Sequence, residues 1–178
     1  MGCESQRSAT VAAPSKTNSI CIFECVGGKD KGPDGNRKES VLINEEFRKL
    51  GWHGEIIKFE VGKEEQIYND VRSRFCAYIS RINPGDVPDK PYHTLLRRLS
   101  KEAGLVGMSS PDSMINFGSK NLLAKLNKTG LVPEDTYVYY KIEEFKKSFP
   151  KALSLGERVL KQNRGSVGSG IWRVVVED

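Results

Sequence analysis

The sequence predicts an α/β protein: a parallel sheet wound by helices on both faces, then a small α+β subdomain ending in a glycine-rich hairpin. Three observations predict it. Residues 20–26, Ile-Cys-Ile-Phe-Glu-Cys-Val, form a nearly continuous apolar run, the pattern of a strand covered on both faces. Strand-like and helix-like segments then alternate as far as residue 108, as they do when crossover helices join parallel strands. Near the carboxyl end, two apolar segments, 159–161 and 171–176, flank a turn with glycines at 165, 168 and 170.

Residues 1–18 are rich in Ser, Ala and Thr, lack an apolar period, and are expected to be an unstructured tail. After the first strand comes a polar loop with Gly27, Gly28, Gly32 and Gly35, in which Asn36 and Glu39 have the spacing of a capping box. A helix follows with Ile43, Phe47 and Leu50 on one stripe and Gly51 as its stop. Residues 55–59 read as a strand, 64–72 as a helix with Ile67 and Val71 inward, and 75–79 as a third strand. The turn Arg81-Ile82-Asn83-Pro84-Gly85 falls at that strand's carboxyl end, where open α/β sheets place ligands; a plain Pro-Gly turn with an exposed arginine is the alternative. Tyr92, Leu95, Leu96 and Leu99 mark a helix ending near Gly104, and 105–108 is a fourth strand.

The character changes at Ser109-Ser110-Pro111-Asp112. Ser119 is the expected N-cap of a helix with Leu122, Leu123 and Leu126 on its buried stripe, closed by Gly130 and Pro133. Residues 135–140 read as a strand, and Ile142, Phe145 and Phe149 as a helix ended by Pro150. The expected organisation is a tail at 1–18, a parallel-sheet domain at 19–117 and a partial second domain at 118–178.

A chain of 178 residues, 38% hydrophobic and 29% charged, can bury one core or a small domain plus part of another. Its net charge of +5 favours anionic ligands. Basic residues are scattered among acidic ones and do not alternate with stacking aromatics, so no nucleic-acid partner is expected. Cys21, Cys25 and Cys76 lack metal-ligand spacing, and with only His53 and His93 beside them they read as small buried hydrophobes of a reducing, cytoplasmic compartment. No segment has the length of a membrane span. Met1-Gly2-Cys3 raises the question of acylation, but Gln6 stands where the acylation pattern has Ser or Thr, so an unmodified terminus is expected. Only acylation at both Gly2 and Cys3 would give a stable membrane anchor.

The candidate site is the hairpin. Glycines at 165, 168 and 170 allow positive φ and leave backbone N–H groups open to an anion, while Lys161 and Arg164 place positive charge beside the turn. Lys120, near a helix start, can reach the same anion. A long glycine-containing β-hairpin without a ligand is the alternative reading of the same residues. A kinase-type nucleotide loop is disfavoured, because Gly-x-x-Gly-x-Gly reverses that loop's order and neither His-Arg-Asp nor Asp-Phe-Gly occurs.

The order of parts resembles the ATP-grasp superfamily, its glutathione-synthetase-like and D-alanine:D-alanine-ligase-like members above all. What carries the resemblance is a Rossmann-like domain, Lys120 opening a helix, Gly130-Leu131-Val132-Pro133-Glu134-Asp135-Thr136, a strand and helix, and Lys-x-x-x-Gly-Ser-x-Gly-Ser-Gly-Ile from Lys161 onward. It covers roughly residues 19–178 and is most specific from about 118. It implies that Lys120 and Lys161 contact the phosphates of ATP and that Arg164, Gly165, Ser166, Val167, Gly168, Ser169 and Gly170 form the loop over them. It further implies a ligase in which ATP phosphorylates a small carboxylate substrate and an amine attacks the acyl phosphate. The family's adenine hinge and Mg²⁺ ligands come later than the hairpin, and this chain stops at Glu177-Asp178, which are expected to be a solvated terminus. The chain as given is therefore expected to hold ATP weakly, with little response to magnesium, and to be inactive alone. The alternative is a truncated, non-catalytic nucleotide-binding or regulatory module.

Overall fold

The computed structural model describes residues 16–27, 30–83, 87–108, 110–165, 168 and 170–176. The tail with Gly2 and Cys3, Gly28, Pro84, Gly85, Ser109, Ser166, Val167, Ser169, Glu177 and Asp178 lie outside the described residues.

The first half is a four-stranded, wholly parallel sheet of order β2-β1-β3-β4, built from β1 (Ser19–Cys25), β2 (His53–Phe59), β3 (Ala77–Ser80) and β4 (Val106–Met108). Every residue of β1 is buried, because it lies in the middle of the sheet with helices on both faces. Alternation splits its side chains between two cores. Ile20 and Ile22 join Ile79 under Ile43 and Phe47 of α1 (Lys38–Lys49). Cys21, Phe23 and Cys25 face α2 (Glu64–Arg74) and α3 (Asp89–Lys101), meeting Val71, Tyr92, Leu95, Leu96 and Leu99, each at most 2% exposed. At about 1.5–3 kcal/mol per fully buried large apolar side chain, this second cluster is the main stabilising mass of the domain.

The expected α2 and α3 stripes are found as read, and β1 ends one residue earlier than expected. Leu50 departs from the α1 stripe: it is 74% exposed, one residue beyond the helix. The capping box at Asn36 is also corrected. The N-cap is Arg37, with no side-chain cap, and Asn36 instead bonds the Asp34 carboxylate through its N–H and its amide, each at 3.0 Å. Cys21 and Cys25 are buried, but Cys76 is only half-buried, its thiol donating to Ser19 O at 3.1 Å.

After β4 the structure adds a helix absent from the sequence reading, α4 (Pro111–Phe117), capped by Ser110, whose Oγ accepts the Ser113 N–H at 3.1 Å. Asp112 fastens it to α3 through Arg97 at 2.8 Å and Lys101 at 3.2 Å. The helix expected after Ser119 shrinks to one turn, α5 (Leu122–Lys125), with Asn121 at its N-cap position; Ser119 Oγ is spent on Asn121 Oδ1 at 2.6 Å. The strand expected at 135–140 is absent: Asp135 lies in a turn, 136–139 in no regular element and Tyr140 in a bend, and no strand among the described residues pairs with them. α6 (Ile142–Leu153) runs through Pro150 instead of ending there. The proline sits in the last turn, where it forgoes the bond its N–H would make to the carbonyl four residues back, and Phe145 stacks on Phe149 at 4.7 Å on the face the helix turns inward. β5 (Arg158–Lys161) and β6 (Ile171–Val174) form the expected antiparallel hairpin, with Lys161 opposite Ile171. Among the described residues no helix is long and apolar enough to cross a membrane.

Candidate functional site

Lys120 occupies the turn before α5, and three hydrogen bonds lock that turn to the hairpin loop. Its N–H donates to Asn163 O at 3.1 Å, the next N–H, of Asn121, donates to Asn163 Oδ1 at 2.8 Å, and Lys120 Nζ donates to Gly165 O at 2.8 Å, 45 residues along the chain. Asn163 thus accepts from two successive N–H groups. The sequence reading passed it over, although an asparagine two residues before a glycine is the residue type that closes such a turn with its side chain.

Lys161 ends β5. Its register places it on the face of Val159, Ile171 and Arg173, while Leu160 and Trp172 share the other face with Arg158 and Val174. A cavity of about 870 Å³ opens between the hairpin, α6 and residues 132–142, and both Lys120 and Lys161 line it, together with Tyr139, Phe145, Arg158 and Trp172. That volume is in the range of nucleotide-sized pockets. Arg158 is braced from two sides, with Nε donating to Ala152 O at 2.8 Å and Nη2 paired with Asp135 at 2.8 Å. Its charge is therefore compensated, and the lining also carries Lys141 beside Lys120 and Lys161, with Asp135 and Glu157 as its carboxylates.

Gly168 and Gly170 have φ of +77° and +66°. At Gly170 a Cβ would also lie 2.7 Å from Gln162 Cβ, so neither the backbone nor the space admits a side chain. Ser166, Val167 and Ser169, expected to complete the loop, are outside the described residues. Arg164 parts from the other site residues. It lines a separate cavity of about 190 Å³ with Ile82, Asn83 and His93, beside the carboxyl end of β3.

A second charged constellation sits on the other face of the sheet. Glu24, in β1, is fully buried, yet it accepts from Lys31 Nζ at 2.6 Å, Lys58 Nζ at 2.7 Å and the Arg37 N–H at 3.0 Å. Burial alone raises its carboxyl; the hydrogen bonds from Lys31, Lys58 and the Arg37 N–H outweigh that and bring it from 4.5 down to about 2. Ser40 Oγ lies beside it, buried, without a well-formed hydrogen bond. Lys58 reaches on to Gly35 O at 2.7 Å, and Arg37 pairs with Asp30, so Glu24 pins the loop after β1 to the sheet. The sequence reading absorbed Glu24 into an apolar run. Arg81, past β3, extends the ladder by donating its N–H to Phe23 O at 2.9 Å, and its Nε is buried without a hydrogen-bond partner among the described residues.

An ammonium group bonded to a glycine loop, with further lysines in the cavity wall, can hold and neutralise an anion, and the two carboxylates of that wall, Asp135 and Glu157, are paired with Arg158 and Arg173. Among the described residues no group of three or more His, Cys, Asp or Glu could hold a metal ion. No family model, curated protein or solved structure matches the chain, so what the site can do has to follow from its own residues.

Proposed function

We propose that residues 118–176 are the phosphate-covering part of an ATP-grasp fold, and that Lys120 and Lys161 bind the phosphates of ATP. The observation that supports this best is the convergence of both lysines on one nucleotide-sized cavity, with Lys120 Nζ bonded to the glycine loop at Gly165 O. In the implied reaction, the terminal phosphoryl group of ATP passes to a substrate carboxylate. An amine then attacks the acyl phosphate, and the products are an amide, ADP and phosphate. The lysines neutralise phosphate charge in this scheme, and the glycine backbone offers its N–H groups to the terminal phosphates. Lys120 would exchange the Gly165 carbonyl for phosphate, or hold both.

Trp172 lines the same cavity, so its fluorescence reports occupancy. In a Trp52→Phe background, ATP titration is expected to give a saturable change in emission. A charge-assisted hydrogen bond is worth about 1.5–3 kcal/mol, so Lys161→Ala and Lys120→Ala should each weaken binding by roughly ten- to a hundredfold. AMP, which lacks the outer phosphates, should bind more weakly than ATP and lose little on either substitution. Equal ATP affinity in the parent and both variants would remove the lysines from the site and the reading with them.

A further inference from the structure

We infer that Asn163 is a positioning residue, one that fixes the backbone of Lys120 relative to Lys161 so that both ammonium groups meet the same phosphates. The inference rests on the nucleotide reading of the larger cavity, whose wall includes Asn163 together with both lysines. Lys161 closes the β5–β6 ladder opposite Ile171, and the Gln162 N–H extends that ladder by donating to Gly170 O at 2.7 Å. Asn163 is the next residue, so it leaves the hairpin from a fixed base. It then takes hold of the turn before α5: its carbonyl oxygen accepts the Lys120 N–H at 3.1 Å, and its Oδ1 accepts the Asn121 N–H at 2.8 Å. Two residues of chain and two hydrogen bonds thus join lysines that the sequence separates by the whole of α5 and α6.

Two acceptors in one residue do what one cannot. A single hydrogen bond leaves the turn free to swing about it, whereas bonds to two consecutive N–H groups set its direction as well as its distance. A neutral amide also does this without adding charge. An aspartate in the same place would supply the acceptor but would put a carboxylate among the lysines that the phosphates need. The N–H groups of residues 120 and 121 are consumed in the clasp, so what Lys120 offers a phosphate is its ammonium. Of the three ammonium donors one is on Gly165 O at 2.8 Å, which leaves two for an anion. The turn is braced on its own side by Ser119 Oγ, 2.6 Å from Asn121 Oδ1, and Asn163 is the joint between these two pre-formed pieces. A lysine whose backbone is already held loses less freedom when a phosphate arrives, and the difference appears as affinity.

The test is a double-mutant cycle on the full chain, read by Trp172 emission in the Trp52→Phe background with ATP as the probe. Asn163→Ala removes one neutral hydrogen bond and should weaken ATP binding about three- to tenfold, while AMP binding changes by under about twofold. In a Lys120→Ala chain the same substitution should change ATP affinity by under about twofold, because no ammonium is left to place. A merely structural role, in which losing Asn163 loosens the hairpin, would instead weaken ATP equally in both backgrounds. Amide hydrogen exchange followed by NMR gives a second measure without nucleotide. The Asn121 N–H should exchange about tenfold faster or more in Asn163→Ala, with the amides of β1 unchanged. Equal losses with and without Lys120, no loss in Asn163→Ala, or unaltered exchange at Asn121 overturns the inference, and the nucleotide reading survives as long as Lys120→Ala itself weakens ATP binding. If Lys120→Ala leaves ATP affinity unchanged, both fall.

Discussion

Replacing Glu24 by glutamine keeps the shape of the side chain and removes the charge that three donors converge on. A fall in the carboxyl from 4.5 to about 2, at about 1.36 kcal/mol per unit, corresponds to about 3 kcal/mol of stability at neutral pH. A second route gives the same order. Deleting one partner of a buried ion pair costs about 3–5 kcal/mol, and the half-exposed Lys58 places this cluster at the low end, because water can take up its ammonium while the nearly buried Lys31 is left unpaired. For a chain of this size the loss lowers Tm by on the order of 6–12 °C. The sign with pH follows from the depressed pKa. The contribution is complete above the unfolded value near 4.5 and drains away as pH falls toward about 2, with roughly 1.4 kcal/mol left at pH 3. Urea unfolding followed by far-UV circular dichroism, on wild type and Glu24→Gln at pH 7 and pH 3, should therefore show a gap that more than halves between the two conditions. Adding Lys31→Met to Glu24→Gln should recover part of the loss, since the nearly buried ammonium is gone and the one that remains, Lys58, is partly exposed and keeps the Gly35 carbonyl. A gap under about 1 kcal/mol at pH 7, or one indifferent to pH, would refute the reasoning.

Tyr78 and Gly107 give a paired test at the sheet edge. A Cβ at residue 107 would overlap the Tyr78 ring and hydroxyl, so Gly107→Ala should lower stability by about 2 kcal/mol or more in the same urea assay; the buried Tyr78 hydroxyl has no hydrogen-bond partner, so Tyr78→Phe should be neutral or stabilising by up to about 1 kcal/mol. Cys21 is 0% exposed and burial pushes its thiol up, and Cys25 is 7% exposed. An aromatic disulfide reagent at pH 8 should leave both unmodified in the native protein and modify both in guanidinium, as read by peptide mass spectrometry.

The sheet domain was legible because its signals are one-dimensional. The run through β1 and the stripe at Tyr92, Leu95, Leu96 and Leu99 report burial directly, and propensity, period and turn residues agree there. The misreadings have physical causes. Residues 135–140 have the side chains of a strand, but a strand exists only where a neighbour pairs with it. Pro150 forgoes one N–H bond and crowds the carbonyl four residues back, yet α6 continues through it to Leu153, held by the packing of Phe145 and Phe149. α4 carries Ser110 and Pro111 in the positions of an N-cap and first helical residue, yet seven residues are too few for an apolar period to declare itself.

The candidate site divides along the same line. That Lys120 and Lys161 belong together could be inferred only from the order of the parts; the sequence has no local feature that links a turn to a loop 45 residues away, and Asn163, which makes the link by accepting two N–H groups, carries no charge to draw attention. Glu24 was hidden for a related reason: its partners stand 7 and 34 residues off, and only the parallel register that sets Glu24 beside Lys58 explains why one acid survives in a buried strand. Arg164 shows the opposite error. Nearness in sequence to Lys161 and the glycines suggested a shared anion, but outside a strand or helix nothing obliges residues three apart to face one way, and the chain directs Arg164 back to the sheet while Lys161 stays on the hairpin. The glycine loop consequently has a positive group at each of two cavities, the larger sized for a nucleotide and the smaller for a body of about six non-hydrogen atoms.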